Sequence, residues 1–518
     1  MGFVIMRFLN NLSACLLAST AVLSASVLSA PPAAADTVDY GVELPDPKIP
    51  GYMFPTPEPI IIAAVDTADA SGISLHGWGL WTSLTTPSQE TAFAIPNAPV
   101  YLTWLTKQEL VALSKSPSAD AGAKVSGAAT APARSRSMSL KPVTQLEKFG
   151  IDSTASKTQP RTARTATASA TGVSPDTNIF EVVAYDPEAA KFINENKLFD
   201  LTTIAGLYKS GKKAVPDFPA PSVAIKPVYK IISAADLIDG KYYAMPAWPG
   251  TPVTNDTIVA DGFPETVWPG CVYVDVTNKG ASTATGIDGA CGGQTAASTY
   301  GLGDFISYPV TAANVAAFNA IDSTNGYKVA VGDYLLLMAM HVTSREIREW
   351  TWQTFFWTPA PMNPPTPSSV AIAGAQPKQL GKPAAHYAMS IAYQMISPNQ
   401  PVTGGSNTGK PMIAYNPYLE SDFSASTFSV SRAVTDPNTG VAWTGQVGVE
   451  TNCMTCHSMA SVKFGTGAGT GYGATFYVSL DDPMFDGTVQ TDFLWSIADV
   501  VSTEQKDAKA AGSAAGKK

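Results

Sequence analysis

The chain has 518 residues, 45% of them hydrophobic, and 33 basic against 42 acidic side chains give a net charge of −9. That length and apolar content suffice for two or three ordinary domains with real cores. Mild acidity excludes a nucleic-acid binder, whose footprint is a basic patch, and past the leader no run approaches the roughly 18–20 apolar residues that span a bilayer.

Residues 1–35 read as a secretory signal, with Arg7 as the charge, an apolar Ala/Leu/Val/Ser run and Ala33-Ala34-Ala35 as the cleavage site. Maturation near Asp36 implies an exported, periplasmic protein. A rival pattern, Leu12-Ser13-Ala14-Cys15, has the form of a lipoprotein box, but the apolar stretch before it is short and broken by Asn10-Asn11.

The N-terminal part of the body, 36–114, opens with a Pro-rich lead-in and a strand over Ile60 to Val65. His76 precedes Trp78, Trp81 and Leu84, whose spacing suits one apolar face of a short helix. Val100 to Leu113 reads as a strand running into a helix. Residues 115–177 are mostly Ser, Ala, Thr, Pro and basic, and cannot bury enough apolar surface to offset ordering entropy, so a disordered basic insert is expected.

The main body, 178–440, mixes short strands with a few helices and has no βαβ rhythm, which gives an α+β class. Phe180 to Tyr185, Val223 to Ile232, Tyr242 to Met245 and Val272 to Val276 read as strands. Asp186-Pro187-Glu188 opens a helix through Asn194. Cys271 and Cys291 frame a loop rich in Gly, Ala and Thr, and in an oxidising compartment form a disulfide. Tyr334 to Val342, ending at His341, and Trp350 to Trp357 predict a hairpin with apolar or aromatic side chains on both faces, hence inside the fold. Its connection holds Arg345, Glu346, Arg348 and Glu349, which suit a solvated charge cluster. His386 to Ile396 is a buried helix or strand, and Asn416-Pro417-Tyr418-Leu419-Glu420 a turn into a short helix.

The most specific pattern is Cys453-Met454-Thr455-Cys456-His457. Two cysteines at this spacing form thioethers to haem vinyl groups, and the following histidine ligates the iron. A redox Cys-x-x-Cys or half a zinc site fits less well, because a chain with five cysteines and four histidines has few partners to complete a zinc set. These residues resemble the c-type cytochromes, which implies one covalent haem c held by Cys453, Cys456 and His457. The haem segment is 441–504, followed by a tail, 505–518, expected to fray. Only a short chain follows His457, so the rest of a haem pocket must come from upstream residues. Met484, in Asp481-Asp482-Pro483-Met484-Phe485, and His341 are the candidates for the sixth iron ligand; another residue, or none, is the remaining alternative.

Together with His76-Gly77-Trp78-Gly79-Leu80-Trp81, Trp350 to Phe355, Asn416 to Glu420 and Asp492 to Ile497, the motif is similar to a group of exported bacterial single-haem proteins known as cytochrome c family proteins. That resemblance implies a haem but no particular substrate. Two function classes follow. One is a periplasmic electron carrier with a redox partner protein. The other is a haem-dependent or peroxidase-like oxidoreductase whose large body binds a small organic substrate, with Trp350, Trp352, Phe355 and Trp357 as pocket candidates. A haem sensor is a third. Gly404 to Lys410 matches a phosphate-loop spacing, but Pro411 stands where the magnesium-binding hydroxyl belongs. The alternating glycines from Gly465 to Gly473 are a flexible loop.

Overall fold

The computed structural model describes residues 38–115, 136–138, 140–142, 179–252, 262–319, 328–398, 407–445, 447–465 and 471–515. The expected signal sequence lies outside these residues. Among the described residues nine strands, numbered in chain order, build the central sheet. β1 (Leu105–Thr106), β4 (Ala184–Tyr185), β5 (Val223–Ile232), β10 (Tyr334–Ser344), β11 (Thr351–Trp357) and β12 (Tyr387–Ala392) succeed one another across it. β2 (Lys141–Pro142) pairs with β3 (Ile179–Glu181), which also flanks β5, and β9 (Ser307–Pro309) flanks β10. Every pairing in this sheet is antiparallel. A three-stranded sheet holds β6 (Tyr242–Pro246), β7 (Cys271–Asp275) and β8 (Thr299–Gly301). With helices placed around the sheets and not between successive parallel strands, the fold is α+β.

The expected hairpin is the middle of the molecule. β11 is buried along its whole length and β10 everywhere except Tyr334. Antiparallel partners share a face, so register sorts these side chains. His341 opposes Lys226 and Thr354, while Thr343 opposes Ala224 and Trp352, which places all six on one face. Met340 opposes Phe355 on the other. Against that second face lies the helix Ala70–Thr85, whose Trp78 and Trp81 are fully buried and whose Trp81 stacks on Phe355 at 4.3 Å. Its glycines permit the approach, since a Cβ at Gly79 would run into the Tyr52 ring and one at Gly77 into the Met389 sulfur.

Several expectations need correction. Ile60 to Val65 belongs to a helix, Glu58–Asp66; proline in its first turn and an acidic start suit a helix, and Ile61 and Val65, one turn apart, are its buried residues. His76 lies within the helix Ala70–Thr85, which Asp69 caps. Val100 to Leu113 divides into a helical turn, the two-residue β1 and the helix Lys107–Ser114, which begins with a full capping box from Thr106 and Glu109. The insert is partly anchored. Arg136 reaches Glu109 and the carbonyls of Thr103 and Trp104, Met138 and Leu140 are buried, and Lys141–Pro142 pairs with β3. The remainder of that insert lies outside the described residues.

Of the four charges in the connection after β10, Arg345 and Glu346 are held in specific pairs, while Arg348 is exposed as expected of a solvated cluster. The Glu346 side chain is 0% exposed and contacts His76 at 2.9 Å, and Arg345 meets Asp492 at 3.2 Å. Arg345 and Glu346 find these counterparts far along the chain, which local composition cannot reveal. Asn416 to Glu420 lies in a turn that is followed by a single 3-10 turn, Ala425–Thr427. The last helix, Trp495–Ala515, runs through most of the tail expected to fray. Its Ala, Lys, Gln and Glu are strong helix formers extending a helix already nucleated by the packed Ile497 and Val501. Cys271 and Cys291 are disulfide-bonded, as expected.

Candidate functional site

Cys453 to Ser458 is a six-residue helix, and its start is built by one side chain. Asn452 is fully buried; its Oδ1 accepts from Thr455 N at 3.0 Å, while its Nδ2 donates to the carbonyls of Met412 at 2.8 Å and Gln394 at 3.1 Å. One amide therefore caps the helix and ties it to two upstream segments. Thr455 Oγ1 donates to the Phe476 carbonyl, and Trp495 Nε1 to that of Cys456. The helix is held on all sides before any ligand is considered.

His457 is oriented by backbone. Its Nδ1 lies 2.9 Å from the Phe493 carbonyl oxygen, so Nδ1 carries the proton and the lone pair sits on Nε2. The carbonyl is aimed by two consecutive non-glycine residues in the left-handed region, Asp492 (φ 46°) and Phe493 (φ 67°). Such backbone costs roughly 1–3 kcal/mol per residue and persists only where surroundings impose it. Here the Asp492 carboxylate accepts from Phe218 N and from Arg345 Nε. Trp352 packs against the imidazole, with ring centroids 4.0 Å apart.

The two cysteines and the histidine line a single cleft with a cavity volume of about 140 Å³ that is partly open to solvent. The face of the central sheet opposite the tryptophan helix supplies one wall, through Lys226, His341, Thr343 and Trp352. The other walls come from the turn bearing Glu420, from Tyr472 and from the start of the last helix. Cys453 and Cys456 are thiols not joined to each other. Burial pushes the Cys453 thiol well above its ordinary pKa, and the nearby charges of Glu420 and Cys456 add to this; its Sγ contacts the Ala414 carbonyl at 3.2 Å.

Of the other expected site residues, His341 lies in this cleft, with Nε2 2.8 Å from Glu420 Oε1. Met484 is half-buried in a short turn, packed against the hydrophobic cluster outside the cleft wall. Among the aromatic pocket candidates Trp352 alone reaches the cleft. Trp350 packs on Phe218, Phe355 lies under Trp81, and Trp357 stacks on Phe305. Among the described residues no group of three or more His, Cys, Asp or Glu side chains forms a metal-ion site, and no helix is long and apolar enough to cross a membrane.

The sequence singles out the Asn416 to Glu420 and Asp492 to Ile497 stretches but neither Glu420 as the partner of His341 nor the Phe493 carbonyl as the partner of His457, and it gives no sign of the cleft lysines Lys107 and Lys226. Strand register could have paired Lys226 with His341; nothing in spacing points to Phe493. The donor set suits a haem c: two thiols one helical turn apart, an imidazole with a defined lone pair and an aromatic-walled cleft. The chain matches no protein-family model, no curated protein and no solved structure.

Proposed function

We propose that this protein is a periplasmic single-haem c-type cytochrome that transfers electrons to a redox partner protein, with thioethers at Cys453 and Cys456 and His457 as an axial ligand. One observation carries the reading: both thiols and the oriented imidazole line the same cleft, on the wall facing the central sheet. Bound haem would supply a one-electron ferric/ferrous couple. The chain's own contribution is to hold His457 through Phe493 and to exclude water with Trp352, Tyr472 and Trp495. The Cys271–Cys291 disulfide is compatible with an oxidising compartment.

A haem-dependent oxidoreductase acting on a small organic substrate is the second reading. Its support is the concave, partly open cleft with the aromatic side chains of Trp352, Tyr472 and Trp495 in its lining.

The test is covalent haem in full-length protein exported from a host able to mature cytochromes c. Haem that survives acid extraction, and is lost or reduced in Cys456→Ala, supports attachment; absence of covalent haem in the wild type refutes it. Ferrous protein inert to carbon monoxide favours the carrier, whereas ferric protein that reacts with peroxide favours the enzyme.

A further inference from the structure

The cleft has a second imidazole, and its surroundings are as constrained as those of His457. His341 extends from β10 into the cleft lining, and its Nε2 is 2.8 Å from Glu420 Oε1. The other carboxylate oxygen of Glu420 accepts from Asn416 N at 2.6 Å. Asn416 is itself pinned, its Nδ2 donating to Thr354 Oγ1 at 2.6 Å and to the Phe355 carbonyl at 3.0 Å. The Glu420 backbone also packs so closely on Gly448 that a Cβ there would overlap its carbonyl. The carboxylate is therefore fixed at both oxygens by the sheet and by its own turn. His341 Nδ1 makes no hydrogen bond among the described residues.

We propose that His341 is the second axial ligand of the haem, that it binds through Nδ1, and that Glu420 is its positioning residue, accepting the Nε2 proton. This rests on the haem reading above and specifies which nitrogen faces the group and why. A ring whose Nε2–H is committed to a fixed carboxylate keeps its lone pair on Nδ1. Turning the ring to present Nε2 would strip a charge-assisted hydrogen bond from a mostly buried glutamate. Met484, packed outside the cleft wall, does not compete. Two imidazoles on the iron give a low reduction potential, the opposite of the histidine–methionine pair.

The experiment uses the full chain carrying covalent haem. The ferric wild type is expected to be six-coordinate and low-spin, without the sulfur-to-iron charge-transfer band of a methionine ligand. His341→Ala is expected to become high-spin and to regain a low-spin spectrum with added imidazole. Glu420→Gln, which keeps an acceptor but not the charge, is expected to stay low-spin and to bind azide at least ~10-fold more tightly, because the endogenous ligand is weaker. Met484→Ala is expected to leave the spectrum unchanged. A high-spin wild type overturns the proposal without any variant, which covers the case of a His341→Ala chain that does not fold. So do an unaltered spectrum in His341→Ala, a changed one in Met484→Ala, or unchanged azide affinity in Glu420→Gln. If no covalent haem is present at all, the haem reading itself falls and this proposal with it; if haem is attached and the ligand spectra disagree, only the axial-ligand proposal falls.

Discussion

Replacing Asn452 with alanine removes the side chain that both caps the Cys453–Ser458 helix and ties it to two upstream segments. Three hydrogen bonds go with it: the cap to Thr455 N at 3.0 Å and the two donated bonds to Met412 and Gln394, at 2.8 and 3.1 Å. An N-cap is worth about 1 kcal/mol. Each donated bond contributes about 1 kcal/mol, and the position is fully buried, so water cannot replace it cheaply. The expected destabilisation is therefore about 3 kcal/mol. Asn452→Ser restores a capping oxygen and should recover about 1 kcal/mol of this. Asn452→Asp keeps the cap but turns an acceptor toward two carbonyl oxygens, so it should be no better than alanine. Urea unfolding followed by tryptophan fluorescence measures all three, and covalent haem yield should fall in the order wild type, Ser, then Ala and Asp. A cost below about 1 kcal/mol for Asn452→Ala, or an Asn452→Asp chain as stable as wild type, would refute this role for the amide.

Other perturbations probe separate parts of the structure. The Asp304 carboxyl is raised by burial but more strongly lowered by hydrogen bonds from His386, Ser282 and Gly301, ending at about 2 against the usual 3.8. A depressed acid stabilises the fold above its unfolded value and loses that contribution as pH falls through its folded value, so the advantage of wild type over Asp304→Asn should shrink by about 2 kcal/mol between pH ~4 and ~2. Gly448→Ala forces the Glu420 backbone away and should destabilise by about 1–3 kcal/mol, with a changed iron spectrum if Glu420 positions His341; an unperturbed, fully stable variant would contradict the close approach. Replacing Cys271 and Cys291 with serine opens a crosslink over a sequence separation of 20, and thermal unfolding should register a loss of about 3 kcal/mol. Asp492→Ala frees Arg345 and the left-handed turn; the His457 tautomer, read by nitrogen NMR of the haem-free chain, should become mixed, and an unchanged tautomer would show that Phe493 needs no such support.

Local pattern makes some parts of this protein legible from its sequence alone. Alternation and apolar density identify β5, β10 and β11, and aromatic side chains on both sides of β11 imply an interior strand, because a sheet face can be apolar only where something covers it. The Asp186 cap places the helix Pro187–Glu195 correctly, since capping acts within one turn. Oxidising context and loop composition pair Cys271 with Cys291. The Cys453 to His457 spacing marks the candidate site because its chemistry is confined to five adjacent residues. Propensity fails at Ile60 to Val65, where three isoleucines suggest a strand but prolines and one-turn packing make a helix.

What the tertiary structure decided is everything that depends on residues distant in sequence meeting in space. By composition Glu346 and Arg345 are solvated, yet Glu346 meets His76 and Arg345 meets Asp492. The cleft could be anticipated only as something upstream chain must supply. Its wall is set by antiparallel register, which puts His341, Lys226 and Trp352 on one face and sends Phe355 to the other. His341 and Met484 are equivalent candidates on sequence; the fold places the first in the cleft beside Glu420 and the second in the packing behind it. The Cys453 to His457 pattern is a local property of five residues, whereas the opposing side of the site is formed by strands far upstream in the chain, and only folding brings the two together.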